Sequence, residues 1–386
     1  MRYDFTSVID RRGTDSYKWN VPEGDLPMWV ADMDFRTAPE ILEAVTARIR
    51  HGVFGYSVVP ERWYRAYSDW WDRRHSFRLD PEWLIFCTGV VPALSSSVRK
   101  LTSPGDRVLI LPPVYNIFWN SIVNNGCEVV ENPLIYENGS YRMDLEDLDR
   151  KLSDPLVRVM ILCNPHNPVG KIWDRATLAA VGELASRHGV TVLSDEIHCD
   201  LTLPGKEYIP FASVSEVCRE ISVSCLAPTK AFNLAGIQTA AVSVPNPELR
   251  KKICRALNTD EVAEPNAIAC PAAIAAFERG AEWLDELRSV LWTNRTTAEE
   301  VIRTEMPALS APHAEATYLL WVSTAGTGKS GEQFSRELRN ATGLFVTPGN
   351  VYGSQGMDWF RMNLACPASV LEDGLDRLRS FVRSLN

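Results

Sequence analysis

The chain has 386 residues, 45 % hydrophobic and 23 % charged, an ordinary globular composition whose length argues for two domains, or one large domain with a smaller companion. Lys plus Arg is 40 against 49 Asp plus Glu, so a formal net charge of -9 repels phosphate backbones and anionic lipid and argues against nucleic acid as a partner. Nine cysteines without a CxxC pair suggest reduced thiols in a cytoplasm, and no apolar run approaches the ~20 residues of a spanning helix, so a soluble, unexported chain with no membrane partner is expected.

In chain order, 39–50 and 60–74 read as helices, each with proline near its first turn. Short β-branched runs follow at 84–88, 107–111, 127–131, 157–163, 190–194, 221–226 and 239–244, separated by helical stretches. Apolar on both faces, they read as buried strands of a mostly parallel sheet, which predicts the α/β class. After Val244 come successive helices, the last of them, at about 281–305, long enough to bridge two domains. A strand at 316–322 and a final helix at about 368–385 complete a smaller α+β unit. The expected division is an N-terminal arm (1–45) joining the small domain, a large domain (46–280) and a small C-terminal domain (281–386). In such sheets ligands bind beyond the carboxyl ends of the strands, so chemistry is sought in the loops that follow them.

Two patterns point elsewhere. Residues Ser323 to Ser330 miss a phosphate loop only at its first glycine, and Asp195 to His198 spell a DExH box. In nucleic-acid-dependent ATPases the phosphate loop precedes the acidic box, whereas here it follows, so a solvated loop is the better reading. Cys163, His166, His198 and Cys199 are metal-ligand types, but their spacing is not that of a zinc motif, and cysteines beside strands usually pack as small hydrophobes.

Most of the nine lysines lie in polar stretches. Lys230 instead follows an apolar strand in APTKAFNLAG, where desolvation lowers the pKa of an amine and makes it nucleophilic toward a carbonyl. Other post-strand loops carry complementary chemistry: the amides of Asn164 and Asn167 after 157–163, the acid Asp195 after 190–194, and TGVVPA opening a helix N-terminus suited to phosphate after 84–88.

The motifs PMWVADMDF (27–35), FGYS (54–57), TGVVPA (88–93), PPVY (112–115), CNPHNPVGK (163–171), DEIHCDL (195–201), APTKAFNLAG (227–236) and TPGNVYG through RMNLA (347–365) span nearly the whole chain. With them the sequence resembles the fold type I pyridoxal-phosphate enzymes, the aspartate aminotransferase superfamily, and within it the MalY/PatB carbon-sulfur lyases of the cystathionine β-lyase branch.

The resemblance implies that Lys230 carries the pyridoxal 5'-phosphate, Asp195 pairs with its ring nitrogen, Asn167 bonds its phenolic oxygen and Tyr115 stacks on its ring. It implies that the amides of Val90 and Val91 and the hydroxyl of Thr229 hold the phosphate, and that Arg361 grips the substrate carboxylate. Tyr56 matches a tyrosine lent by the neighbouring subunit, which implies a homodimer. His198 stands where many relatives have tyrosine, Gln238 where many have arginine, and Ala227 where serine is common; the first two look familiar for the lyase branch. The implied reaction is α,β-elimination of L-cystathionine or a related S-substituted cysteine to thiol, pyruvate and ammonia. The alternatives are an aminotransferase using the same lysine, or a regulatory protein partner, such as a transcription activator, bound alongside lyase activity.

Overall fold

The computed structural model describes residues 2–385. Seven strands form its main sheet in the spatial order Leu84–Cys87, Ala240–Ser243, Ser222–Leu226, Thr191–Asp195, Val157–Cys163, Arg107–Ile110 and Glu128–Glu131. Each agrees with its predicted run to within one residue at either end. Ala240–Ser243 runs antiparallel to both neighbours, and the remaining pairs are parallel.

The pleat explains why these runs are largely apolar on both faces. Val108, Ile110, Val159 and Ile161 pack with Val90, Leu94 and Val98 of helix Val90–Leu101 on one face. The alternate residues Leu109, Met160, Leu162 and Val192 pack with Leu148, Leu178 and Val181 on the other. Burying such a side chain contributes about 1.5–3 kcal/mol, so a strand covered on both faces tolerates few polar positions.

The predicted bridging helix is Ala281–Glu305. Its Leu284 and Leu287 enter a core with Trp63, Trp70 and Phe277, whereas Ala298 and Ile302 enter a second core with Leu338, Phe360 and Leu375. The N-terminal residues reach both cores: Phe5 and Ile41 join the first, Leu26 and Met28 the second. Leu26–Pro27 pairs in parallel with Leu344–Phe345.

Two features differ from the sequence reading. A hairpin, Ile135–Glu137 with Ser140–Arg142, has no long apolar run to announce it. Strand Trp359–Asn363 is buried throughout yet holds an arginine, which broke its apolar signature; it pairs with Leu319–Ser323 and Thr347–Pro348 in a three-stranded antiparallel sheet. None of the described helices is long and apolar enough to cross a membrane.

Candidate active site

Loops at the carboxyl edge of the main sheet meet the 29–31 segment and Arg361, at the middle of strand Trp359–Asn363, around a cavity of about 570 Å³. Of the ten residues singled out for the site, nine line it: Val90, Val91, Tyr115, Asn167 and Asp195, together with His198, Thr229, Lys230 and Arg361. Gln238 lines it as well.

Lys230 follows strand Ser222–Leu226 and is half-buried. Its Nζ donates to the carbonyl oxygen of Ala31 at 2.6 Å, an oxygen that also accepts the Tyr318 hydroxyl at 3.1 Å. Burial first, and then the charge of Arg361, push the amine down to about 8, against the opposing pull of Asp32 and Asp195. Asp195 ends strand Thr191–Asp195 and is itself buried. Desolvation raises its carboxyl to about 6, although the Ile197 amide donates to Oδ1 at 3.2 Å and the Lys230 charge favours the anion.

Arg361 is buried, with a fork fixed on two sides: Nη1 donates to Oδ1 of Asn167 at 3.0 Å and Nη2 to the Trp29 carbonyl at 3.0 Å. The guanidinium carbon lies 5.0 Å from the centre of the Tyr352 ring, and the buried Nε has no protein partner among the described residues. Asn167 sits in the 164–170 loop, which is tied by the His166 amide to the Lys171 carbonyl at 2.7 Å and by the Gly170 amide to the His166 carbonyl at 2.7 Å. Gly170 has φ +70°, and a Cβ there would lie 2.7 Å from the Ala314 Cβ and 2.9 Å from the Ala316 oxygen, so only glycine lets this loop close against 314–316.

His198 is buried beside both cations. Burial, then the charges of Lys230 and Arg361, bring it down to about 3, so its ring is neutral at physiological pH. Helix Val90–Leu101 begins behind Gly89 with no side-chain cap, leaving first-turn amides at the cavity wall. Burial raises the Tyr115 hydroxyl to about 12.

Tyr56 is the exception. It is fully exposed in the stretch between helices Pro39–Arg50 and Glu61–His75 and does not line the cavity of its own chain. The four candidate metal ligands do not converge either; among the described residues the compact group of ligand types is His75, Cys199 and Asp200. The phosphate-loop look-alike is a 3-10 turn, Ala325–Thr327, leading to a helix capped by the Ser330 hydroxyl, which accepts from the Gln333 amide.

Sequence reasoning missed the contribution of the 28–34 segment. The carbonyls of Trp29 and Ala31 hold Arg361 and Lys230, and Asn363 Nδ2 donates to the carbonyls of Val30 and Asp32 at 2.6 Å each. The signal available was the PMWVADMDF motif itself, quoted without a role.

The cavity fits pyridoxal phosphate on the chemistry of its donors: a depressed amine, a buried carboxylate without a cation in contact, and first-turn amides, all on one wall system. The sequence profile of the aminotransferase class I and II family matches residues 31–378, and the chain belongs to that family. Within it, the chain is 41 % identical to the cystathionine beta-lyase PatB of Bacillus subtilis (strain 168), over 98 % of this chain and 99 % of that one. It is 32 % identical to the protein MalY of Escherichia coli (strain K12), over 99 % and 100 %. Among solved structures, cystalysin from Treponema denticola, which contains pyridoxal 5'-phosphate, superposes with a TM-score of 0.97 at 29 % identity, covering 100 % of both chains.

Proposed function

We propose that the chain is a pyridoxal-phosphate-dependent carbon-sulfur β-lyase that cleaves L-cystathionine or related S-substituted cysteines to thiol, pyruvate and ammonia. The observation that carries this reading is the convergence of Lys230, Asp195, Asn167 and Arg361 on one cavity; the similarity to named lyases over almost the whole chain supports elimination as the outcome.

Pyridoxal phosphate, when bound, supplies a sink for the electron pair left at the substrate Cα. Arg361 binds the α-carboxylate through its fork and so fixes which bond at Cα faces Lys230. With a pKa near 8, the Lys230 amine is populated in its neutral form near physiological pH and takes the Cα proton. Asp195 would pair with the ring nitrogen of the bound cofactor and hold a proton there, and that contact would favour its own ionised form. Asn167, whose Oδ1 already accepts from Arg361, keeps Nδ2 free and would donate it to the phenolic oxygen. The Val90 and Val91 amides and Thr229 would hold the phosphate, and Tyr115 would cover the ring. His198, being neutral, adds no charge to the site.

The working unit in this reading is a homodimer in which Tyr56 enters the neighbouring subunit's site. Val53, Phe54 and Val58 are exposed beside it, an apolar run of the kind that monomers rarely leave uncovered.

A family profile named for aminotransferases keeps transamination as the second reading. The test is product formation from L-cystathionine without any 2-oxo acid: many turnovers giving pyruvate and free thiol in equal amounts are expected. Product that stops after one turnover per site, and resumes on adding a 2-oxo acid, replaces the lyase with an aminotransferase.

A further inference from the structure

The active-site cavity continues past Arg361. The Trp29 carbonyl that holds Arg361 Nη2 also accepts the Thr347 hydroxyl at 3.0 Å, and Thr347–Pro348 pairs with strand Trp359–Asn363 opposite Arg361 and Phe360. Beside the guanidinium fork, the wall is completed by Tyr17, Trp29, Phe345, Pro348 and Val351. Tyr17 and Val351 are exposed and form its rim.

The rings of this wall are fixed. Trp29 and Phe345 stack with centres 4.8 Å apart and 22° between their planes, and the Tyr17 ring packs on Trp29 at 5.0 Å. Trp29 Nε1 donates to the Lys18 carbonyl at 3.2 Å. The guanidinium carbon of Arg339 lies 3.9 Å from the centre of the Phe345 ring, and Asp25 Oδ2 accepts from its Nε at 2.8 Å and lies 2.7 Å from its Nη2. Ring faces are therefore spent on one another and on Arg339, and what remains for a ligand is ring edges. Edges carry the positive end of the aromatic quadrupole, so they receive apolar and aromatic groups and repel an ammonium.

No charge is left to compensate a charged leaving group. Among the described residues the charged side chains lining the cavity are Lys230, Asp195 and Arg361, beside the neutral His198, and the proposed reaction engages all three. Behind the 28–34 segment, Arg11 and Lys18 are paired with Asp32 and Asp34. The stretch around Tyr56, residues 52–60, contains no Asp, Glu, Lys, Arg or His, so in the dimer reading it adds no charge either. The leaving half of L-cystathionine ends in an ammonium and a carboxylate, and desolvating either without a partner is costly. An alkyl or aryl group gains with each methylene removed from water.

We propose that the leaving-group end of the active site is an uncharged aromatic pocket, built on Trp29 and Phe345, that selects cysteines with apolar S-substituents over L-cystathionine. The inference rests on the lyase reading and names the substrate class within it.

The test uses the holoenzyme and two ligand pairs of matched chain length, one member of each carrying the extra charge. In the first pair, S-pentyl-L-cysteine should give pyruvate with a kcat/KM about tenfold or more above that of L-cystathionine. Along S-methyl-, S-propyl- and S-pentyl-L-cysteine the value should climb by up to about fourfold per methylene. In the second pair, which has no leaving group, calorimetry should show L-2-aminoheptanoate binding about tenfold or more tighter than L-2-aminoheptanedioate. Phe345→Ala should flatten the dependence on chain length. Should that variant fail to fold, Val351→Lys, on the exposed rim, supplies the missing cation and should narrow the preference in both pairs by about tenfold. A binding preference short of tenfold overturns the pocket, as do a length dependence and a preference that neither variant alters. Loss of the lyase reading is a separate result: no pyruvate from any S-substituted cysteine removes the reaction, while the uncleaved pair still decides the pocket.

Discussion

Nη1 of Arg361 donates to Oδ1 of Asn167 at 3.0 Å, so the residue assigned to the substrate carboxylate and the one assigned to the cofactor form one hydrogen-bonded unit. On this assignment, substrate and cofactor would be oriented by a shared pair that joins the 164–170 loop to strand Trp359–Asn363. Losing a charged hydrogen bond costs about 1.5–3 kcal/mol, or roughly ten- to a hundred-fold in affinity. Arg361→Ala should therefore lower kcat/KM by at least that factor while the cofactor spectrum survives. Arg361→Lys should rescue little, since a lysine cannot reach Asn167, Trp29 and a carboxylate at once. The double variant with Asn167→Ala should lose less than the two single losses combined, because each single change already breaks the shared bond. Strict additivity would separate the two residues.

The ionisation of Lys230 is open to measurement in the cofactor-free protein. Its amine lies near 8 rather than 10.5, so its acylation rate should titrate about two pH units below that of an exposed lysine. The signs of the neighbours are fixed. Asp195→Asn removes a negative charge that favours the ammonium and should lower the midpoint further; Arg361→Ala removes a positive one and should raise it. Mass spectrometry after borohydride reduction of the loaded enzyme should place the pyridoxyl group on Lys230. A group found on another lysine sinks the assignment.

Much of the molecule is legible in its sequence because burial on two faces leaves a mark: the seven runs of the main sheet are largely apolar where they pack, with small buried exceptions such as Ser194, Ser222, Ser224 and Ser243. The post-strand loops carrying Asn167, Asp195 and Lys230 are legible for the same reason, since the strands locate them. The 28–34 segment is not. It acts through the carbonyls of Trp29, Val30, Ala31 and Asp32, and a backbone acceptor has no side-chain identity to read. Strand Trp359–Asn363 escaped for the opposite reason, because the side chain that matters, Arg361, is the one that breaks the hydrophobic pattern.

Tyr56 tests the dimer. It is exposed and outside its own chain's cavity, beside other exposed apolar side chains. If it acts across the interface, mixing inactive Tyr56→Phe and Lys230→Ala chains should restore activity to heterodimers, because one of their two sites then holds both native residues. Verified heterodimers without recovery would assign both residues to one chain.

The last expectation concerns the charges behind the 28–34 segment. Lys18 is buried, and its Nζ donates to Oδ2 of Asp34 at 2.7 Å; Arg11 grips Oδ1 of the same carboxylate at 2.7 Å and Oδ2 of Asp32 at 2.8 Å. Trp19 Nε1 also donates to Asp34 Oδ1 at 2.8 Å. Asp34 thus anchors the turn from which the Ala31 carbonyl reaches Lys230. Removing one partner of a buried ion pair typically costs about 3–5 kcal/mol, because the other charge is left in a poor environment. Asp34→Ala should destabilise the cofactor-free protein by that order in denaturant unfolding, and Lys18→Met by less, since Arg11 still answers both acids. The functional signature differs from plain instability. With the Ala31 carbonyl no longer held in place, the Lys230 amine loses its docking oxygen, and its acylation midpoint should move in the variant under conditions where it remains folded. An Asp34→Ala protein that is destabilised but keeps the native Lys230 midpoint would confine the network to stability and remove it from the positioning of the lysine.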